Sequence, residues 1–159
     1  MVVSENIPFN IVLVEPEIPP NTGNIARLCA ATGSVLHLVE PLGFSIDDRQ
    51  LKRAGLDYWS SVKVCLWPGL DQLWAAYPQG RFFYLSTKAA RSYLAADFCP
   101  GDFIVFGKET KGLPMEIITT NQDTAITIPM PANAVRSLNL STSAGIVLYE
   151  ALRQSRRIE

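Results

Sequence analysis

Short apolar runs alternate along the chain with segments in which apolar residues recur every three or four positions. The short runs predict six strands, at 9–14, 34–40, 62–67, 81–87, 102–107 and 124–129. The helically spaced segments predict helices near 22–31, 48–55, 70–77, 114–120 and 137–157. Several strands are apolar at consecutive positions, which is typical of parallel strands covered on both faces. The pattern predicts one α/β domain over 9–159, with a parallel sheet between helices, after a flexible extension over 1–8.

The composition fits this picture and narrows the class of protein. The chain has 159 residues, of which 48% are apolar and 18% charged, as expected for one globular domain. No apolar run approaches the roughly 18 residues that a bilayer crossing needs, and the first residues lack the pattern of a signal peptide. We therefore expect a cytoplasmic protein with no membrane partner.

The cysteines and the single histidine give no support for a metal site. Cys29, Cys65 and Cys99 are far apart and odd in number, so we expect buried reduced thiols rather than disulfides or zinc ligands. His37 lies within an apolar run and is expected to be structural. The sequence predicts no bound metal.

The formal net charge is −1, so any contact with RNA must come from local basic patches. Two clusters qualify, the first in the predicted helix 48–55 and the second at the end of the last helix: Arg49, Lys52 and Arg53, and Arg153, Arg156 and Arg157. Ordinary solvated helix faces would have the same composition, and both interpretations stay open.

The first polar stretch, NTGNIAR at 21–27, follows the first strand. Prolines at 16, 19 and 20 end the strand, and Asn21 or Thr22 is predicted to cap the next helix. Asn24 and Arg27 then point away from the apolar face of that helix. The Arg27 guanidinium is suited to clamp a phosphate or ribose, or alternatively to pair with the glutamate at 15 or 17.

Two later stretches also follow strands. In FGKETKGLP at 106–114, Leu113 stands where a phosphate loop of the Walker type needs lysine, so the loop is either a ligand site or a tight turn into a helix begun by Pro114. In the third stretch, the prolines of IPMP at 128–131 end a strand, and RSLNLS at 136–141 begins a helix capped by Ser137 or Asn139.

With these three stretches in this order, the chain resembles the SpoU branch of the SPOUT superfamily of RNA methyltransferases. The likeness is greatest to tRNA (cytidine/uridine-2′-O)-methyltransferases acting at the wobble nucleotide. AATG at 30–33, RAGLDY at 53–58 and YEA at 149–151 extend the resemblance over most of the chain.

The resemblance implies an α/β fold with a C-terminal trefoil knot, an exception among protein chains, and an active homodimer. It also implies S-adenosylmethionine as cofactor and a tRNA anticodon stem-loop as substrate. The cofactor-binding residues carried over by motif position are Leu85, Gly107, Ile128, Met130 and Ser137. The expected catalytic residues are Arg27 (from the facing subunit), Glu109 and Asn139, and the expected substrate-binding residues are Asn24, Arg27, Arg49, Lys52 and Arg53.

Two alternatives stay open. The first is a non-catalytic module that binds RNA or senses S-adenosylmethionine, against which we note that Arg27, Glu109, Ser137 and Asn139 are all present. The second is a ribosomal-RNA 2′-O-methyltransferase of the same branch. Those enzymes commonly carry an additional N-terminal RNA-binding domain, and the eight residues before Phe9 are expected to be too few for one.

Overall fold

Seven parallel strands form one sheet in the computed structural model, which describes residues 7–47, 49–50, 53 and 59–158. The strands are β1 (Asn10–Val14), β2 (Val35–Val39), β3 (Val64–Trp67), β4 (Phe82–Leu85), β5 (Arg91–Ser92), β6 (Phe103–Phe106) and β7 (Ala125–Thr127). Their order is β3-β2-β1-β6-β4-β7-β5, and every neighbouring pair is parallel. The predicted parallel sheet is confirmed.

The helices are α1 (Pro19–Thr32), α2 (Leu70–Ala76), α3 (Met115–Thr120) and α4 (Leu140–Gln154), and they cover both faces of the sheet. In β1, Ile11 and Leu13 pack in one core with residues of α1 and α4. Val12 and Val14 belong to a second core with residues of α2 and α3. Because both faces are covered, consecutive strand positions are apolar, which is the pattern seen in the sequence. No helix within the described residues is long and apolar enough to cross a membrane.

The start of α1 differs from the prediction. Ile18, in extended conformation, is the N-cap residue, and Pro19 and Pro20 occupy the first two helical positions. Proline suits those positions because its φ is preset and no helical hydrogen bond is lost there. Asn21 and Thr22 therefore lie inside the helix and are buried, so the prediction that one of them caps it is wrong.

Other boundaries shift for local reasons. The short strand β5 was not predicted, because two residues are too few to give a periodic pattern. The last helix begins at Leu140 rather than 137, since Asn139 is its cap. The predicted helix 48–55 lies largely outside the described residues, although Arg49, Gln50 and Arg53 are helical.

The three cysteines are free thiols, but only Cys29 is buried. Burial raises the pKa of Cys29 to about 12. Cys65 is partly buried, and Cys99 is exposed in the irregular segment before β6, where its Sγ accepts a hydrogen bond from Arg81. The prediction of three buried thiols is therefore wrong for Cys99, which lies outside the layers that form the core.

His37 lies fully buried in β2, between two polar side chains. The indole N–H of Trp67 donates to Nδ1 at 3.0 Å, and Nε2 lies 2.8 Å from Oδ1 of Asn10. Because the indole can only donate, Nδ1 accepts and Nε2 carries the proton that it donates to Asn10. Burial, together with the charge of Lys63, lowers the pKa of His37 to about 4. The predicted structural role of this histidine is confirmed.

Candidate functional site

A cleft of about 900 Å³ opens at the carboxyl ends of β4, β6 and β7, which are neighbours in the sheet. The loops that follow these strands converge there, because parallel strands end at the same edge. The stretch leading into α4 forms a further wall. Seven residues predicted as catalytic or cofactor-binding line the cleft: Leu85, Gly107, Glu109, Ile128, Met130, Ser137 and Asn139.

The loop after β6 folds back tightly on itself. Lys108 and Gly112 form an isolated antiparallel bridge, and the Gly112 N–H donates to the Lys108 carbonyl at 2.8 Å. A Cβ added at Gly107 would lie 2.1 Å from the carbonyl carbon of Gly112. Gly112 has φ 67°, in the left-handed region that glycine favours. Glycine at both positions therefore lets the backbone of 107–113 form one wall of the cleft.

A chain of three side chains, which we call the cleft chain, joins the three sequence motifs. Glu109 accepts hydrogen bonds from Nδ2 of Asn21 at 3.1 Å and from the backbone N–H groups of Glu17 and Ile18 at 2.8 and 3.0 Å. Asn139 Nδ2 donates to Oδ1 of Asn21 at 3.1 Å. Because an ionised carboxylate only accepts, Asn21 must turn Nδ2 to Glu109 and Oδ1 to Asn139.

Asn139 has a second task at the start of α4. Its Oδ1 accepts from the backbone N–H groups of Ser141 and Thr142 at 2.9 and 3.3 Å, which satisfies two free donors of the first helical turn. Between the two candidate caps Ser137 and Asn139, the structure selects Asn139. One side chain thus fixes both the helix start and its connection to α1.

A second set of contacts ties the first loop to the glycine loop. Glu17 Oε1 accepts from the N–H and hydroxyl of Thr110 at 3.0 and 2.8 Å. These hydrogen bonds, mainly that of the hydroxyl, lower the pKa of Glu17. Lys108 pairs with Glu15 at 3.0 Å, which raises the pKa of the lysine. The two loops therefore form one connected border of the cleft.

The predicted RNA-binding residues lie elsewhere. Asn24 and Arg27 are exposed on α1 and do not line the cleft. Arg49 and Arg53 are exposed, whereas Lys52 lies outside the described residues. In the C-terminal cluster, Arg153 forms an ion pair with Glu150 at 2.8 Å, and Arg157 donates to the Ile7 carbonyl and lies over the ring of Phe9. Two of its three arginines therefore serve contacts within the chain.

Several residues that line the cleft were not predicted as site residues, among them Asn21, Lys88, Lys111 and Arg136. Asn21 was interpreted as a helix cap, because asparagine before a helix is usually one. Lys88 follows β4 by three residues, so its position just past a strand end was a usable signal. Lys111 and Arg136 belong to motif stretches already singled out, but their charges were not assigned a role.

Comparison with known proteins follows the same loops. A family model described as the SpoU rRNA Methylase family matches residues 8–149, which include the three motif stretches. The chain belongs to this family. Thus the loops that line the cleft of this SpoU-family chain lie in the range that carries the family match.

Individual relatives are similar over nearly the whole chain. This SpoU-family chain is 52% identical over 147 residues to a tRNA (cytidine(34)-2′-O)-methyltransferase of Methylovorus glucosotrophus, covering 92% of this chain and 95% of the relative. A solved structure described as giving structural insights into the 2-OH methylation of C/U34 on tRNA superposes with a TM-score of 0.89. The two are 43% identical, covering 94% of this chain and 97% of the other.

A more distant relative was solved with its cofactor. The SpoU methyltransferase AviRb of Streptomyces viridochromogenes, in complex with AdoMet, superposes with a TM-score of 0.80 at 25% identity. The match covers 93% of this chain and 60% of AviRb. The likeness to AviRb therefore concerns 60% of that protein.

Proposed function

We propose that this protein transfers a methyl group from S-adenosylmethionine to the ribose 2′-oxygen of the wobble nucleotide of a tRNA, a cytidine or modified uridine. The observation that carries the proposal is that Asn21 links three sequence motifs around one cleft, through Glu109 and Asn139. Identity of 52% to a relative named for this reaction at cytidine 34 supports the choice of substrate.

The cleft fits S-adenosylmethionine in size and chemistry. Its volume of about 900 Å³ is within the usual range for small-molecule sites, about 300–1,000 Å³. Gly107 offers backbone with no side chain in the way, and Leu85, Ile128 and Met130 offer partly buried apolar surface. Ser137, in the stretch ahead of α4, supplies a hydroxyl. When bound, the cofactor supplies a methyl group that is already electrophilic, so the protein has to align the 2′-oxygen and assist loss of its proton.

Arg27 is the residue to which we assign the 2′-oxygen. A guanidinium group stays protonated and is a poor proton acceptor, so we assign Arg27 the positioning of the hydroxyl and stabilisation of the developing negative charge. Arg27 is exposed on α1 and lies outside the cleft of its own subunit, which is why we place it against the cleft of a second subunit.

The active unit in this proposal is a homodimer. α1 and α4 pack side by side, and they expose Arg27 and Tyr149 respectively. We further propose that the segment between β7 and α4 belongs to a C-terminal trefoil knot, in which Glu109 and Asn139 fix the loops around the cofactor. The cytoplasm, where tRNA is available, is the proposed location.

The function is tested by incubating the purified protein with radiolabelled S-adenosylmethionine and total RNA, then mapping the labelled nucleotide. The expected product is a tRNA labelled on the ribose of its wobble nucleotide. Label on a base, or in ribosomal RNA alone, would contradict the proposal. Binding of the cofactor without any transfer would favour a sensing module.

The role of Arg27 is tested by mixing two inactive variants. Arg27→Ala should lower kcat at least about 100-fold with cofactor affinity unchanged, because it removes a transition-state contact. In a mixed dimer, the Arg27→Ala subunit keeps an intact cleft, and the Gly107→Ala subunit keeps Arg27. If Arg27 acts across subunits, the intact cleft therefore faces an intact Arg27. Recovery of activity on mixing is therefore expected, and its absence would mean that Arg27 does not act across subunits.

A further inference from the structure

Three basic residues from three separate loops line the cleft, and we call them the cleft cations. Lys88 lies after β4, Lys111 in the loop after β6, and Arg136 ahead of α4. A fourth lysine of the cleft, Lys108, is paired with Glu15 at 3.0 Å. Among the residues that the structure describes, none forms an ion pair with a cleft cation.

The acidic groups near the cleft are already engaged. The Glu109 carboxylate accepts three hydrogen bonds from the first loop and from Asn21. Glu17 accepts two hydrogen bonds from Thr110, although Lys111 lies close enough to contribute to the lowered pKa of Glu17. Four basic residues and one acidic residue line the cleft, so its border is positive in a chain whose net charge is −1.

A turn holds the backbone of Lys88 in place. Its N–H donates to Oγ of Ser86 at 3.0 Å, and the N–H of Ala89 donates to the Ser86 carbonyl at 3.2 Å. The ammonium group is thus carried on an ordered backbone directly beyond β4. Binding of an anion to this lysine therefore loses less conformational entropy than binding to a lysine on an unrestrained loop.

We propose that Lys88, Lys111 and Arg136 bind backbone phosphates of the RNA on either side of the nucleotide that is methylated. This inference rests on the proposed function. The methyl donor has a positive sulfonium, which cations do not favour, and a single carboxylate, which needs no more than one of them. Three cations on three loops fit successive phosphates better, and phosphate contacts fix position without reading the base.

The test measures RNA binding as a function of salt. The probe is an anticodon stem-loop with an unmodified wobble cytidine, titrated between about 50 and 200 mM salt. Lys88→Ala, Lys111→Ala and Arg136→Ala should each weaken binding about tenfold at low salt. Each should also lower the slope of log affinity against log salt by about 0.7, and the triple variant by about 2. Lys88→Arg should keep the wild-type slope.

The control is Lys63→Ala. This exposed lysine precedes β3 at the opposite edge of the sheet, so the variant loses the same charge without touching the cleft. Its RNA affinity and salt slope should match wild type. A similar loss in Lys63→Ala and the cleft variants would mean that net charge alone is responsible, and would overturn the inference.

Donor affinity, measured by calorimetry with S-adenosylmethionine, shows whether the cleft cations bind the RNA phosphates or the donor carboxylate. An unchanged donor affinity with weaker RNA binding is expected. Weaker donor binding with unchanged RNA binding would assign the cations to the donor carboxylate and overturn the inference. If wild type labels no tRNA, the proposed function fails; if wild type labels tRNA and the cleft variants keep its salt slope, only this inference fails.

Discussion

Two chains of hydrogen-bonded side chains join distant parts of this molecule, and they have different surroundings. The cleft chain runs from Glu109 through Asn21 to Asn139 and connects α1, the loop after β6 and α4. The buried chain runs from Trp67 through His37 to Asn10, whose Nδ2 donates to the Gly101 carbonyl at 3.0 Å. Both chains pair polar groups that would otherwise be costly to bury.

The difference lies in what borders each chain. His37 is fully buried and its two nitrogens are both satisfied within the sheet. Glu109 and Asn139 line the cleft at the carboxyl ends of the strands, and Asn139 is exposed. The buried chain therefore serves the fold alone, whereas the cleft chain also fixes loops that meet a ligand. In this molecule the difference is position, since the cleft chain lies where the carboxyl ends of the strands open into the cleft and the buried chain does not.

The largest effect is expected at the wall that the cleft chain holds in place. In Gly107→Ala, the new Cβ would lie 2.1 Å from the Gly112 carbonyl carbon, so the backbone of the loop must move. A misplacement of about 1 Å can cost about 100-fold in reaction rate, so we expect at least that loss in methyl transfer, together with weaker S-adenosylmethionine binding by calorimetry.

The matched control for this variant is Gly145→Ala in α4. An added Cβ at Gly145 meets nothing within 4 Å, and alanine in a helix is favoured by about 0.5–1 kcal/mol. Gly145→Ala should therefore bind the cofactor like wild type. Wild-type affinity in Gly107→Ala would show that the cofactor does not depend on this wall.

The sequence allowed the sheet and part of the cleft to be predicted, for two different reasons. Consecutive apolar residues in β1 and β6 follow directly from burial on both faces. The cleft residues came from motif resemblance rather than from local physics. The role of Asn21 was missed because its neighbours Pro19 and Pro20 take the helix start, and only the folded chain brings Asn139 within 3.1 Å of it.

The charge pattern of the cleft was missed for a related reason. Sequence clusters such as Arg49 to Arg53 are visible because their members are adjacent. Lys88 and Arg136 are 48 positions apart and meet only because β4, β6 and β7 end at one edge. A search for adjacent charges cannot detect a patch that the strand order assembles.

A smaller effect is expected from Glu109→Gln, which keeps the shape of the side chain. The carboxylate now accepts hydrogen bonds from three N–H donors, and the amide would turn its NH₂ group toward at least one of them. Leaving that donor without an acceptor costs about 1–3 kcal/mol. Because the lost hydrogen bond fixes loops at the cleft, kcat/KM for methyl transfer should fall about tenfold. The loss of unfolding free energy should be smaller.

His37→Phe is the comparison variant for Glu109→Gln. It leaves the Trp67 N–H and Asn10 Oδ1 without their partner, so the free energy of unfolding should fall by about 1–3 kcal/mol in urea titrations. Its kcat/KM should equal that of wild type. Equal losses of activity in both variants would mean that the cleft chain has no greater role in the reaction than the buried chain.

The smallest effect is a pH dependence of stability that arises at His37 in the buried chain. The pKa of His37 is about 4 in the folded protein and near the ordinary 6.5 in the unfolded chain, so the unfolded state gains its proton first as pH falls. Stability is therefore unaffected above 6.5 and is lost between 6.5 and 4. From pH 7 to 5.5 the expected loss is about 1 kcal/mol, measured by urea unfolding. In His37→Phe this component should disappear. Parallel curves for the variant and wild type would mean that His37 is not held neutral by its burial.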